Sequence, residues 1–323
     1  MTLPMTLRAH CAMVLFTLGA WAQHPPSIKV DVDLVTVACS VMDRDGALVS
    51  KLGVDDFVLT DNGAPQQIKQ LWRDVDLPLT VGLIVDVSGS QMGLVNKHKR
   101  TMTEFLSKVL GPDDRAFLVT VGPDVRLVTD FTNSVDELQR GVDSIDTRQS
   151  AGVQLGDPCR DGRHRFQRGC GGTALWNAVW ASSRLKMKGQ PGRKALIIVS
   201  DGMDTGSKHH LGDAIEAAQG ADTIVYAIKY VSPMVAISPT MAVLTAFSHG
   251  MKRLSEETGG EQFGSPHGGP GEIFAKIEQE LRSQYVIAFS PAENVHDGKY
   301  HKLVVKTKRA DWRVRARKGY YST

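Results

Sequence analysis

The chain has no large excess of charge of one sign: 38 Lys and Arg against 35 Asp and Glu give a formal +3 over 323 residues. Such balance argues against a dedicated nucleic-acid binder. Cysteine is scarce at four residues, too few for a disulfide scaffold of this length. Hydrolase signatures are missing as well, with no Gly-x-Ser-x-Gly, no His-Glu-x-x-His and no Cys/His pair at a recognisable loop position. Beyond the first residues no apolar run reaches the ~20 residues a membrane helix needs. What remains is an ordinary globular composition, 42% hydrophobic and 23% charged, long enough for one large domain or two modest ones.

The start is read as a targeting segment. Met1 to Arg8 carries one positive charge, Cys11 to Ala20 is apolar, and Ala20-Trp21-Ala22 fits a small-x-small cleavage site. Residues 1–22 are therefore expected to be a secretory signal peptide, cut after Ala22, which places the mature chain in the periplasm or outside the cell. In that oxidising setting Cys159 and Cys170 are expected to pair. Closing a loop of about a dozen residues is worth roughly 3 kcal/mol. The basic segment Arg160 to Arg168 between them would overhang the Thr173 loop. Cys39, on an apolar strand, is expected to be a buried free thiol.

The central part alternates between buried-strand and helical periods. Strands are expected near 79–86, 116–121, 194–200 and 223–229, and helices near 92–110, 134–143, 173–187, 209–219 and 240–258. Val125 to Phe131 reads as an antiparallel edge strand, and 272–282 as a last helix. This alternation predicts an α/β fold, a doubly wound, mostly parallel sheet with helices on both faces. Ligands of such sheets sit outside the carboxyl ends of the strands.

Three loops at that edge carry oxygen ligands. Val81-Gly-Leu-Ile-Val-Asp86-Val-Ser88-Gly-Ser90 is a buried strand ending in one carboxylate and two hydroxyls. Gly171-Gly172-Thr173 puts a hydroxyl at the head of a helix, and Ala195-Leu-Ile-Ile-Val-Ser200-Asp201-Gly202 repeats the strand ending in a carboxylate. Oxygens of this kind suit a hard cation. Held mostly by neutral hydroxyls, such an ion stays electrophilic and recruits a further anionic oxygen. Ser88 and Ser90 could instead only cap the following helix. Asp204 could orient the Asp201 loop or cap the helix beginning near His209.

Asp-x-Ser-x-Ser, then Thr, then Asp, in this order, resembles the metal-ion-dependent adhesion site of von Willebrand factor type A (VWA) domains, over roughly residues 78 to 283. The resemblance implies a Mg²⁺ site, with Mn²⁺ or Ca²⁺ as alternatives. Ser88, Ser90 and Thr173 would bind directly, and Asp86 and Asp201 largely through water. It also implies an Asp or Glu of a partner protein as the outside ligand.

The flanks return to a period of two. Strands are expected within 28–41, at 56–60 and at 67–72, the last closing a small meander, then at 284–289, 302–308 and 312–317. Asp43-Arg-Asp45-Gly46 lacks the carboxylates of a calcium loop and reads as a hairpin turn. Region 23–76 and region 284–323 each have too few strands for a core of their own. They are expected to form one small β-sandwich around the 77–283 domain. Asp55-Asp-Phe-Val-Leu-Thr-Asp-Asn-Gly63, Ser283-Gln-Tyr285 and Val314-Arg-Ala-Arg-Lys-Gly-Tyr320 are similar to segments of the VWFA-related Acidobacterial-type group of exported bacterial proteins. The basic run from Lys302 to Arg317 is read as a strand with one solvated face and a charged edge. Three functions stand open: a metal-dependent protein-binding module, a hydrolase using His209 or His210 as base, and a structural envelope component.

Overall fold

A computed structural model describes residues 34–73, 77–88, 91, 94–145, 172–230, 241–264, 269–291 and 298–322. The signal peptide, Ser90, the Cys159–Cys170 pair and the basic segment between those cysteines lie outside the described residues.

Six strands form the central sheet: β5 (Leu79–Asp86), β6 (Arg115–Val121), β7 (Val125–Thr132), β8 (Arg193–Ser200), β9 (Ile224–Lys229) and β10 (Gln262–Phe263), in the order β10-β9-β8-β5-β6-β7. All neighbours run parallel except β7, which lies antiparallel on β6 at the edge. β5 and β8 are apolar without alternation because both faces of the sheet are covered. Val81, Leu83 and Val85 enter one core cluster with Ala195, Ile197 and Val199, while Ile84, Leu196 and Ile198 enter the other.

The first cluster is closed by α1 (Leu94–Val109), α2 (Val135–Ser144) and α6 (Pro270–Leu281). In α1 the residues Val95, Met102, Phe105, Leu106 and Val109 face it at helical spacing. Ser134 caps α2, its hydroxyl accepting from the Glu137 N–H. The second cluster is closed by α3 (Leu175–Ala181), α4 (Leu211–Gln219) and α5 (Met241–Thr258). The expected helix over 173–187 is α only to Ala181 and continues as a π-helical turn over Ser182–Met187. Among the described residues no helix is long and apolar enough to cross a membrane.

The flanking strands do not form a meander at the N-terminal end. β1 (Val35–Met42) and β4 (Ile68–Arg73) lie in one antiparallel sheet with the C-terminal β11 (Tyr285–Phe289) and β13 (Arg313–Ala316), ordered β13-β1-β11-β4. β2 (Phe57–Asp61) and β3 (Ala64–Gln66) lie in the other with β12 (Tyr300–Thr307) and β14 (Gly319–Tyr321), ordered β14-β12-β2-β3. Asn62 and Gly63 turn β2 into β3 with φ of 48° and 86°, as a tight hairpin of this hand requires. A two- or three-strand meander would leave most of its apolar face wet. Pairing across the sequence lets Val37, Cys39, Phe57, Leu59, Ile287 and Leu303 share one core between the two sheets. Cys39 is a buried free thiol, which burial pushes up to about 12. At the turn before Ala47, Asp43 accepts from the N–H groups of Asp45 and Ala47, the hairpin reading rather than a calcium loop.

The basic run divides in two. Lys302 and Lys306 are exposed on β12, as expected for a solvated face. Arg315 and Arg317 are not: they are largely buried and reach back to the α/β part. Arg315 pairs with Glu261 at 2.6 Å and Glu280 at 2.8 Å. Arg317 pairs with Asp222 and donates to the carbonyls of Gln219 and Thr36. Alternation along a strand gives the exposed face of an isolated sheet, whereas this face meets another part of the molecule.

Candidate metal centre

Asp86 ends β5 and Asp201 immediately follows β8, its parallel neighbour, so the two carboxylates emerge from the same edge of the sheet. Both are buried. Asp86 Oδ1 accepts the Ser88 N–H at 2.9 Å, and Asp86 Oδ2 accepts the Ser200 hydroxyl at 2.6 Å. Burial pushes the Asp86 carboxyl up to about 6. Hydrogen bonds from Ser200 and Ser88 oppose that shift, and the charge of Asp201 adds to it. Asp201 accepts the Met203 N–H at 3.0 Å, a local turn closed by its own side chain. Among the described residues neither carboxylate has an ion-pair partner; the charge of Asp201 reaches Lys229, at the end of β9, and opposes the burial that lowers that lysine.

The Thr173 loop is brought to the same edge by backbone bonds. Ala174 N–H donates to Gly122 O at 2.8 Å beyond β6, and Val87 N–H donates to Val121 O at 2.8 Å beyond β5. Thr173 is buried, and its N–H donates to Thr205 Oγ1 at 3.1 Å. Thr205 and Gly206 N–H groups both donate to Thr173 O. The Thr173 hydroxyl itself makes no hydrogen bond among the described residues. Gly172 carries φ of 114°, and a Cβ there would stand 2.4 Å from Thr205 Oγ1. Glycine is thus what lets the second and third loops touch.

Asp86, Ser88, Thr173 and Asp201 are therefore gathered at one sheet edge, and Ser90 lies outside the described residues. Ser88 is buried beside Asp86, and its carbonyl accepts the Gln91 N–H at 2.9 Å. Asp204 neither orients Asp201 by contact nor caps α4. It accepts the Trp176 N–H at 3.2 Å and the Ser207 hydroxyl, capping α3 instead. The helix nearest in sequence was the obvious candidate; α3 presents its free N–H groups to the same loop from across the edge. His210 N–H is capped by Asp213, and the His209 ring stacks on Trp180 at 4.1 Å.

Two residues escape a reading of the motif alone. Ser200 donates to Asp86 and accepts the Gly202 N–H at 3.0 Å, linking the first and third loops. Its position directly before Asp201, at the end of a buried strand, is the signal. Gln91, wholly buried, donates to Tyr230 O at 3.3 Å and ties the first loop to the end of β9. Nothing local in the sequence distinguishes it.

A hard cation fits this donor set. Two buried carboxylates without an ion-pair partner among the described residues carry a desolvation cost that a cation would relieve, and hydroxyl oxygens at the same edge supply neutral ligands. Among the described residues there is no group of three or more His, Cys, Asp or Glu that could hold a metal; the residues gathered here are two carboxylates, Asp86 and Asp201, and two hydroxyls, Ser88 and Thr173.

No family model matches the chain, and no curated protein matches it. Solved structures similar to it include an aerotolerance-related membrane protein from Bacteroides fragilis, at 12% identity over 63% of this chain and 98% of that one, TM-score 0.44. The vWF domain of a type V pili tip protein from Porphyromonas gingivalis has 12% identity over 63% and 94%, TM-score 0.43. A proximal thread matrix protein from the mussel byssus has 13% identity over 69% and 51%, TM-score 0.45. The largely parallel six-stranded sheet, with the loops after β5 and β8 and the head of α3 meeting at one edge, agrees with the fold that the resemblance to VWA domains implies.

Proposed function

We propose that this chain is an exported protein-binding module that works through a divalent cation and is not an enzyme. The cation, Mg²⁺ or in its place Mn²⁺ or Ca²⁺, is held by Asp86, Ser88, Ser90, Thr173 and Asp201. It supplies an under-neutralised positive centre that recruits an Asp or Glu carboxylate of a partner protein. The observation behind this reading is the buried Asp86–Asp201 pair, which has hydrogen bonds but no ion-pair partner among the described residues. Export rests on the N-terminal segment, and the nearly balanced charge turns the reading away from nucleic acid.

A second reading is a structural envelope or assembly component whose metal is dispensable. It draws on the hydrogen bonds that tie the loops to one another, through Thr173 O, Asp204 and Ser200. Titration of Mg²⁺ and Mn²⁺ into the chain, beside Asp86→Ala and Thr173→Ala, tests the first. One-site saturable binding lost in both variants supports it, and silence of the wild type overturns it. Partner capture that survives chelator and Asp86→Ala favours the second.

A further inference from the structure

At the opposite end of the sheet, about 20 Å from Asp201 along β8, a cavity of about 230 Å³ opens between the α/β part and the β1–β11 sheet. Ala38, Trp72, Leu77, Ile224 and Val286 give it mostly apolar walls. Lys194 and Arg317 bring two positive charges to its lining against one negative, Asp222. Asp222 is already paired with Arg317. Lys194 Nζ donates to Gln190 O at 3.1 Å and has no carboxylate partner among the described residues, so further ammonium donors remain for a ligand or water. Burial pushes this lysine below its ordinary range; Asp222 opposes the shift and Arg317 adds to it. In the same wall Arg317 Nε and Gln219 Oε1 are buried without hydrogen-bond partners.

We propose that this cavity binds a small monocarboxylate, with a compact apolar body against Trp72, Ile224 and Val286 and its carboxylate on Lys194. An apolar cavity of about 150 Å³ already holds benzene, so the space suits a body of six or more carbons. The excess positive charge selects an anionic head over a neutral or cationic one. The site is built by both halves of the molecule: β1, β4 and β11 on one side, the starts of β8 and β9 on the other. It shares no residue with the Asp86 edge.

The test is calorimetric titration of hexanoate into the full chain, with hexanol and hexylamine as controls of matched body, repeated on Lys194→Met and Ala38→Phe. One-site binding is expected for hexanoate, weakened about tenfold or more by Lys194→Met and abolished by Ala38→Phe, which fills the cavity. Circular dichroism shows whether Ala38→Phe is folded; Lys194→Met, which keeps the side-chain stem, carries the test if it is not. Equal affinity for the three probes overturns the proposal, as does hexanoate binding indifferent to Lys194→Met, or no binding up to about 10 mM.

Discussion

The chain buries acids at both ends of its central sheet and treats them in opposite ways. At the seam, Glu280 meets Arg315 at 2.8 Å and Glu261 meets the same guanidinium at 2.6 Å. At the loop edge, Asp86 and Asp201 are as deeply buried yet have only hydroxyl and amide donors. Burying two carboxylates close together without an ion-pair partner costs stability. The seam pairs its acids with a shared guanidinium; the edge leaves its acids to hydroxyl and amide donors.

The comparison breaks most visibly if the seam is not what holds the halves. Arg315→Leu removes the cation shared by Glu261 and Glu280 and leaves the buried Glu280 without it, an expected loss of about 3–5 kcal/mol. Urea unfolding followed by circular dichroism measures it. Arg315→Leu combined with Glu280→Gln is expected to recover part of that loss, because the cost lies in the stranded charge. A loss below about 1 kcal/mol would mean that the pairing contributes no more than a surface ion pair.

At the loop edge the sign reverses. The folded-state value of Asp86 lies above its unfolded value of about 4, so the native protein binds the proton more tightly between pH about 4 and about 6. Without metal, stability from this group falls as pH rises through that window and is flat above it. Asp86→Asn, which carries no charge, is therefore expected to be more stable than the metal-free wild type at pH 7, by up to about 3 kcal/mol. The two should converge below pH about 4. Denaturant unfolding in chelator across pH 4–8 checks this. The same titration opposes metal binding, so Mg²⁺ affinity of the wild type is expected to fall below pH about 6.

Gly172→Ala probes how the loops are joined at the edge. A Cβ at φ 114° would press on Thr205 Oγ1, so the loop must open or Thr205 must turn away. A cost of about 1–3 kcal/mol is expected, with a weaker Mg²⁺ affinity, since Thr173 is the next residue. Thermal melts and calorimetry on the same sample separate the two effects. Unchanged metal affinity would show that Thr205 turns away and leaves the Thr173 loop in place.

Much of this was legible in the sequence. Apolar runs such as Val81 to Val85 and Ala195 to Val199 announce strands covered on both faces, and the helical spacing of Val95, Met102 and Phe105 is local information. So are Asp86, Ser88 and Asp201, each fixed by the end of its strand. The rest depends on contacts between distant segments. The N-terminal strands read as a meander because the sequence shows neighbours, while β1 is in fact paired with β11 across some 250 residues, Val37 opposite Ile287. Ser200 and Gln91 acquire their roles only when strands adjacent in space are far apart in the chain. Asp204, open between orienting the Asp201 loop and capping the helix near His209, caps α3 for the same reason.

The terminal basic run carries the smallest effect and the sharpest contrast. Its residues alternate with apolar ones throughout, yet Lys302 and Lys306 are exposed while Arg315 is largely buried against Glu261 and Glu280. Lys302→Ala and Lys306→Ala are expected to change stability by less than about 0.5 kcal/mol each, against the several expected for Arg315→Leu. Measured in one series by urea unfolding, the gradient along the run reports where solvated strand gives way to seam. Equal, small effects at all positions would return the whole run to a solvated face. A large effect at Lys302 would place a contact on β12 that the described residues do not show.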